Sequence, residues 1–277
     1  MLLLKVLILA VIQGLAELLP VSSSAHVIVA EKMLGLDPAT PEMTLLLVLL
    51  HTGTMLAVIL YFWKAWREAY FSSLEAFKRM AVLIVVATAL TGFVGLGLQS
   101  LIKHGFAGGD PNFEIEQIFG NLHLIAAALA VVGVLIIIAG LWPEREGRLT
   151  LGSAALVGVV QGLALPFRGF SRSGSTISAG MLAGVARAKA EEFSFALAVV
   201  LTPPVLWREI LRFRQGQNSL VAGDWMGFLW PGLLGLLFSF GAGLFALRWL
   251  SGWLSHGRWH FFGIYCLLAA VVVYFTA

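Results

Sequence analysis

The stretch that decides the fold covers residues 13–26 and reads QGLAELLPVSSSAH. It closes an apolar segment at about residues 2–19 and opens a second short apolar segment at about 24–35. Pro20 terminates the helix that the first segment forms, and the serines after it can cap the helix of the second segment. Because each arm is too short to cross a bilayer alone with its polar end exposed, the stretch predicts a re-entrant helical hairpin.

The composition excludes a water-soluble domain. Hydrophobic residues make up 59% of the 277 residues and charged residues only 12%, about half the charged share of an ordinary soluble domain. Six further apolar runs reach or approach the roughly 20 residues that cross a bilayer as a helix. They lie at about 43–63, 80–98, 118–141, 193–211, 226–250 and 259–276. We therefore predict an all-α polytopic membrane protein with six transmembrane helices. The net charge of +3 gives no case for nucleic-acid binding.

A second hairpin of the same kind is predicted in the other half of the chain. The tetrapeptide QGLA at 13–16 recurs at 161–164, again before a proline and a hydroxyl-rich turn. Its two arms lie at about 151–165 and 174–186, and three of the six runs follow each hairpin. A repeat with an odd number of crossings must insert its second copy upside down. We therefore predict one membrane domain of two inverted-topology repeats, residues 1–141 and 151–277, divided near 142–150.

The balance of Lys and Arg between the predicted connections sets the orientation. Ten of these residues lie in one set of connections and six in the other, and we expect the richer side to be cytoplasmic. Both termini and the mouth of the first hairpin then face outward, whereas the second hairpin enters from the cytoplasm. The two polar turns are expected to meet near the middle of the membrane.

The first turn carries side chains suited to acid–base chemistry. Gln13 and Glu17 are four residues apart and share a helix face, and His26 follows on the first turn of the next helix. Glu17 or His26 could act as a general acid or base, and the attacking group could be water or the hydroxyl of Ser23. The oxygens of Glu17 and Gln13 could also hold a divalent cation. The structural alternative is that these groups only satisfy the backbone of a broken helix, but ionisable residues at membrane depth indicate function by default.

The second turn, residues 166–176, reads PFRGFSRSGST and predicts an anion cradle. Its glycines let the backbone fold closely around a ligand, and a helix from about Gly174 would point its N–H groups at the turn. Arg172 adds a fork of donors suited to phosphate oxygens. A plain Gly/Ser turn with two snorkelling arginines is the alternative. With the first turn, this cradle predicts hydrolysis of a phosphate ester or anhydride at the membrane.

Together these motifs resemble a known family. Gln-x-x-x-Glu with Pro-Val-Ser-Ser-x-x-His, followed by Gly-Phe-Ser-Arg-Ser-Gly-x-Thr, resembles the signatures of the undecaprenyl-diphosphate phosphatase family associated with bacitracin resistance. The resemblance covers nearly the whole chain. It implies that undecaprenyl diphosphate loses its terminal phosphate in the bacterial inner membrane, which recycles the lipid carrier of cell-wall synthesis. With the orientation that the Lys and Arg balance predicts, both termini would be periplasmic. It also implies a membrane-embedded polyprenyl diphosphate substrate and dependence on Mg²⁺ or Ca²⁺, and it leaves a homodimer open.

The same resemblance implies roles for individual residues. Glu17 matches the essential carboxylate of the motif that Gln13 opens, His26 the essential histidine, and Ser23 the proposed nucleophile. The residues that match the phosphate-binding motif are Gly169, Ser171, Arg172, Ser173 and Thr176, and we count Arg172 among the catalytic residues as well. The family usually opens this motif with Pro-Gly, whereas here Arg168 precedes Gly169 and the proline is Pro166. We therefore expect a rearranged entry to the cradle, with Arg168 as an additional cation near the phosphates.

Two other interpretations complete the prediction. A transporter or flippase of a polyprenyl phosphate is the main alternative, because inverted repeats with broken helices are typical of transporters. A pure carrier would need the arginine cradle but not Glu17 together with His26.

His51 and His123 lie in predicted spans, and we expect them to be hydrogen-bonded helix contacts and not ligands.

Overall fold

The computed structural model describes residues 2–36, 41–107, 121–216 and 225–276. Within these residues it contains ten α-helices and no strand, which confirms the all-α prediction. They are α1 (Leu2–Leu18), α2 (Ser23–Met33), α3 (Pro41–Tyr70), α4 (Leu74–Ala107), α5 (Leu122–Leu141), α6 (Leu151–Ala164), α7 (Arg172–Leu182), α8 (Arg187–Gly216), α9 (Trp225–Ser255) and α10 (His260–Phe275).

Both predicted hairpins are present as pairs of short helices. α1 ends just before Pro20 and packs against α2, and α6 likewise packs against α7. The start of α6 is fixed by a capping box in which Thr150 and Ser153 satisfy each other's backbone N–H groups. Arg172 is the first residue of α7, so this helix begins two residues earlier than the sequence predicts.

Four of the described helices are long and apolar enough to cross a membrane. They contain the segments Leu45–Tyr70, Leu74–Gly105, Leu122–Leu141 and Trp230–Ser255. α10 is apolar but has only 16 residues, and α8, which covers the predicted run 193–211, contains Pro203 and Pro204. Residues 118–120 of the third predicted run lie outside the described residues. The polytopic character is confirmed, and the number of six crossings stays a prediction.

The helices form two compact units, and each unit combines segments from both halves of the chain. The first unit consists of Met1–Leu19, Ser23–Trp63 and Ala198–Leu250. The second consists of Pro20–Ser22, Lys64–Leu197 and Ser251–Ala277.

Small residues bring three helices of the first unit into backbone contact. A Cβ on Gly14 of α1 would lie 2.7 Å from the carbonyl oxygen of Ser239 in α9 and 2.6 Å from Ala242 Cβ. A Cβ on Gly53 of α3 would collide with the hydroxyl of the same Ser239. Ser239 Oγ also donates to the carbonyl oxygen of Leu50 at 2.9 Å. This packing fixes the backbone on either side of Gln13 and His51.

The second unit repeats the Gly14 contact with the second copy of the tetrapeptide. A Cβ on Gly162 of α6 would lie 2.9 Å from the carbonyl oxygen of Thr91 in α4 and 2.8 Å from Val94 Cβ. Gly14 and Gly162 are 148 residues apart in the sequence. The residues that they contact show the same offset, from Thr91 to Ser239 and from Val94 to Ala242. The repeated sequence therefore makes equivalent contacts in the two units.

The predicted division near 142–150 is tied to the turn between α7 and α8. Gly147 N–H donates to the Gly184 carbonyl oxygen at 3.1 Å, and Ala186 N–H donates to the Gly147 carbonyl oxygen at 2.9 Å. A side chain on Gly147 would collide with the same carbonyl of Gly184. The connection between the predicted repeats is thus a packed part of the second unit.

Two glycines of α6 provide a test of this packing. A Cβ on Gly158 would collide with the carbonyl oxygen of Ala87, whereas a Cβ on Gly152 would meet nothing nearer than Thr150 Oγ1 at 4.0 Å. We expect Gly158→Ala to lower the free energy of unfolding by about 1–3 kcal/mol through overpacking. Gly152→Ala is expected to be neutral or slightly stabilising, because Ala favours helix over Gly. Thermal unfolding in detergent measures both variants, and equal melting temperatures would contradict the close approach of α4 and α6.

Candidate active site

The first turn reverses the chain within a few residues. α1 ends at Leu18 and α2 begins at Ser23. Ser22 adopts φ 68°, and it is the one non-glycine residue with positive φ in the described part of the chain. This left-handed conformation costs of order 1 kcal/mol outside glycine, and such residues cluster at functional sites. The turn places Ser23 next to the last turn of α1.

Glu17 is the centre of a cluster of hydrogen bonds. Ser23 Oγ donates to Glu17 Oε2 at 2.6 Å, and Gln13 Nε2 donates to the same oxygen at 3.2 Å. The Glu17 side chain is 9% exposed and Gln13 is 1% exposed. A hydroxyl donor this close to a carboxylate forms a strong, charge-assisted hydrogen bond. The structure thus brings three predicted site residues together, with the Ser23 hydroxyl proton directed at a carboxylate.

His51 is a fourth member of this cluster, which the sequence pattern does not predict. Its Nε2 lies 3.3 Å from Glu17 Oε2, and Gln13 Nε2 lies 3.3 and 3.4 Å from the two ring nitrogens. The expected helix contact is also present, since Nδ1–H donates to the Leu47 carbonyl oxygen at 3.1 Å. The signal that could have found His51 is its chemistry, because an ionisable residue within an apolar span is a functional candidate by default.

The two other histidines of interest occupy different environments. His26 lies on the first turn of α2, three residues after Ser23 and on the same helix face, and it is partly buried. Its predicted catalytic role stays a prediction. His123 packs edge-on against the ring of Tyr274, with centroids 5.2 Å apart, and is therefore a helix contact.

The entry to the second turn depends on a glycine. Gly169 has φ 101°, a region that favours glycine, and a Cβ there would lie 2.5 Å from the carbonyl oxygen of Ile125. Ser171 then caps α7, because its Oγ accepts the Gly174 N–H at 3.1 Å. Arg168, next to this glycine, is partly buried.

Hydroxyls on the first turn of α7 hold that turn together. Ser175 Oγ and Thr176 Oγ1 donate to the Arg172 carbonyl oxygen at 3.1 and 2.7 Å. Thr176 Oγ1 also lies 2.6 Å from Ser194 Oγ of α8, and Thr176 and Ser194 are both fully buried. Ser173 is 3% exposed, whereas Arg172 is only partly buried. The hydroxyls of Ser171 and Thr176 are thus used within the protein, and the elements whose chemistry suits an anion are the helix N-terminus and the Arg172 guanidinium.

Pro20 of the first turn lies close to Gly174 of α7, and both residues belong to the second compact unit. A Cβ on Gly174 would lie 3.2 Å from Pro20 Cβ. Cys266 Sγ–H donates to the Pro20 carbonyl oxygen at 3.4 Å, which anchors the first turn on α10. The meeting of the two polar turns near the middle of the membrane stays a prediction.

Comparison with known proteins gives a consistent result. The family model of the bacitracin resistance protein BacA matches residues 6–272. Undecaprenyl-diphosphatase 2 of Acinetobacter baylyi is 58% identical over 275 residues, which cover 98% of this chain and 96% of that protein. Undecaprenyl-diphosphatases of Rhodopirellula baltica and Desulfatibacillum aliphaticivorans are 32% and 34% identical, each over 98% of this chain and 96% and 97% of their own lengths.

Proposed function

Since the chain belongs to the family of the bacitracin resistance protein BacA, we infer that it is an undecaprenyl-diphosphatase of the membrane. It hydrolyses undecaprenyl diphosphate to undecaprenyl phosphate and inorganic phosphate, which recycles the lipid carrier of bacterial cell-wall synthesis. The observation that carries the mechanism is the 2.6 Å hydrogen bond from Ser23 Oγ to Glu17 Oε2. A carrier that only binds and releases a lipid phosphate has no need of such a pair.

In the proposed mechanism Ser23 attacks the terminal phosphorus while Glu17 takes the hydroxyl proton. The anhydride bond breaks, and undecaprenyl phosphate leaves with the electron pair of that bond. Water then cleaves the phosphoserine and releases inorganic phosphate, with His26 as the group that exchanges protons with the leaving oxygen or the water. In the alternative route Glu17 activates a water directly, and no phosphoserine forms.

We assign binding of the diphosphate to the second turn. The first turn of α7 points N–H groups and the positive end of its dipole toward the turn, and Arg172, its first residue, adds a planar fork of donors. The arrangement of Gly169, Ser171, Ser173 and Thr176 supports this role by shaping the cradle. Arg168 supplies a second positive charge at its entry.

The donor set at the first turn fits a divalent cation that is shared with the substrate. Mg²⁺ is usually held by one or two carboxylates together with substrate phosphates and waters. Glu17, with Gln13 beside it, would be the protein's contribution. Among the described residues there is no group of three or more His, Cys, Asp or Glu that could hold an ion alone. When bound, Mg²⁺ or Ca²⁺ would neutralise the charge of the diphosphate.

We further propose that the protein has six spans and two re-entrant hairpins in inverted repeats 1–141 and 151–277. The equivalent contacts of Gly14 with α9 and of Gly162 with α4 support this symmetry. The Lys and Arg balance supports periplasmic termini in the inner membrane. A homodimer stays a prediction.

Ser23→Ala separates the two routes. We expect phosphate release from undecaprenyl diphosphate with Mg²⁺ to fall about a hundredfold or more if Ser23 is the nucleophile. Purified protein in detergent is compared with Glu17→Ala as the inactive reference. Substantial turnover in Ser23→Ala would favour water as the nucleophile. If the unaltered protein releases no more phosphate than Glu17→Ala does, the proposed hydrolase activity is wrong.

The two arginines of the second turn test the cradle. Arg172→Lys keeps the charge but loses the planar fork, so we expect about a hundredfold lower kcat/KM, whereas Arg168→Lys should lose much less. Steady-state kinetics on the matched pair measures the difference. Full activity in Arg172→Lys would refute bidentate recognition of the phosphates.

Glu17→Gln tests the proposed cation site, because it keeps the size of the side chain and removes its charge. We expect Mn²⁺ to bind about tenfold more weakly in the presence of a non-hydrolysable polyprenyl diphosphonate, as followed by electron paramagnetic resonance. Glu75→Gln, in the exposed first turn of α4, is the matched control and should bind as the unaltered protein does. Unchanged Mn²⁺ binding in Glu17→Gln would show that Glu17 is a base and not a ligand.

A further inference from the structure

The residue that the proposed mechanism leaves unused is His51. Resting on the proposed hydrolysis, we propose that His51 is a positioning residue, which holds the Glu17 carboxylate against the Ser23 hydroxyl from α3. It lies outside both motifs of the two turns, and it reaches the cluster only because α3 packs beside α1 in the first unit.

The imidazole ring is oriented by its own helix. A carbonyl oxygen can only accept a hydrogen bond, so the 3.1 Å contact with the Leu47 carbonyl requires the proton on Nδ1. That hydrogen bond turns Nε2 toward the first turn, where it lies 3.4 Å from the donor Gln13 Nε2 and 3.3 Å from Glu17 Oε2. Fixing one ring nitrogen through a backbone carbonyl, so that the other is presented to a working group, is the usual way in which proteins orient histidine.

The Nε2 contact completes the set of groups around one carboxylate oxygen. Ser23 Oγ, Gln13 Nε2 and His51 Nε2 all lie within 3.3 Å of Glu17 Oε2. The Gln13 amide nitrogen carries two hydrogens, so it can donate one to Glu17 Oε2 and the other to His51 Nε2, which links the two side chains. The three groups come from α2, α1 and α3, so the carboxylate is held from three directions. A base that is itself oriented by a third group is the general pattern of an activated nucleophile.

The backbone that carries His51 is rigidly supported. Thr54 Oγ1 donates to the His51 carbonyl oxygen at 2.8 Å, and Ser239 Oγ of α9 donates to the Leu50 carbonyl oxygen at 2.9 Å. Gly53 lets α9 approach α3 at this level. A side chain held by fixed elements can define the position of a reacting group to within a fraction of an ångström, which loop residues do less well.

A positioning role predicts a specific kinetic defect. Without His51 the carboxylate of Glu17 can rotate away from Ser23, so kcat should fall by about 10- to 100-fold. KM should change by less than about threefold, because the phosphates are bound by the second turn and not by His51. A residue that only filled space in α3 would instead lower stability and leave kcat per folded molecule unchanged.

Three substitutions distinguish these outcomes. In His51→Gln the side-chain amide takes the place of Nε2 beside Gln13 and Glu17, and in His51→Asn it takes the place of Nδ1 beside the Leu47 carbonyl. We expect His51→Gln to keep kcat within about threefold and His51→Asn and His51→Ala to lose 10- to 100-fold. The readouts are kcat and KM for phosphate release, with the melting temperature and the elution profile in detergent measured on the same samples.

Thr52→Val is the matched control. Thr52 is the next residue of α3, and its Oγ1 donates to the Val48 carbonyl oxygen of the same helix at 2.7 Å. It should keep the kcat of the unaltered protein. Equal kcat in His51→Gln and His51→Asn, or an unchanged kcat in His51→Ala, would overturn the proposal. If His51→Ala does not fold, the comparison of kcat between His51→Gln and His51→Asn still tests the positioning role of His51. Failure of the proposed hydrolysis is recognised separately, because the unaltered protein would then release no phosphate.

Discussion

The hydrogen bond from Ser23 to Glu17 is the interaction on which the first turn depends. A buried carboxylate is costly unless hydrogen-bond donors surround it, and the Glu17 side chain is only 9% exposed. The chain meets this requirement by ending α1 before Pro20 and turning back through a left-handed Ser22, so that the start of α2 faces the end of α1. The groups that satisfy Glu17 are therefore the groups that hold the hairpin closed. The hydrogen bonds to Glu17 thus serve both the hairpin and the proposed chemistry.

Glycine and serine provide the framework that makes this arrangement possible. Gly14 and Gly53 let α9 touch both α1 and α3, and Ser239 fills the junction with a hydroxyl that bonds to the backbone. Helices in lipid gain little from apolar contacts alone, so close packing and interhelical hydrogen bonds must stabilise them. The small residues near the polar turns are thus part of what positions Gln13 and His51.

The sequence predicts those features whose causes are local. Pro20, the serines and the recurring QGLA mark the two helix pairs, and the spacing of Gln13 and Glu17 puts both on one helix face. The role of His51 could not be predicted, because it depends on which helix packs beside α1. The same holds for Thr176, whose hydroxyl meets Ser194 of another helix. Long-range packing decides both cases.

The difference between the two turns follows from small changes on one scaffold. Gln161 occupies in α6 the place of Gln13 in α1 and is equally buried, but it donates to Thr91 Oγ1 at 3.1 Å and not to a carboxylate. Four residues later the second copy has Leu165 where the first has Glu17. The second turn is also longer, residues 165–171 against 19–22, and the extra length includes Arg168 and the left-handed Gly169. The second copy thus lacks the carboxylate of the first and contains an additional arginine, which fits the acid–base and anion-binding roles that we propose for the two turns. The proposed hydrolysis of a diphosphate needs both roles, and this accounts for opposite charges at the turns of two helix pairs with such similar packing.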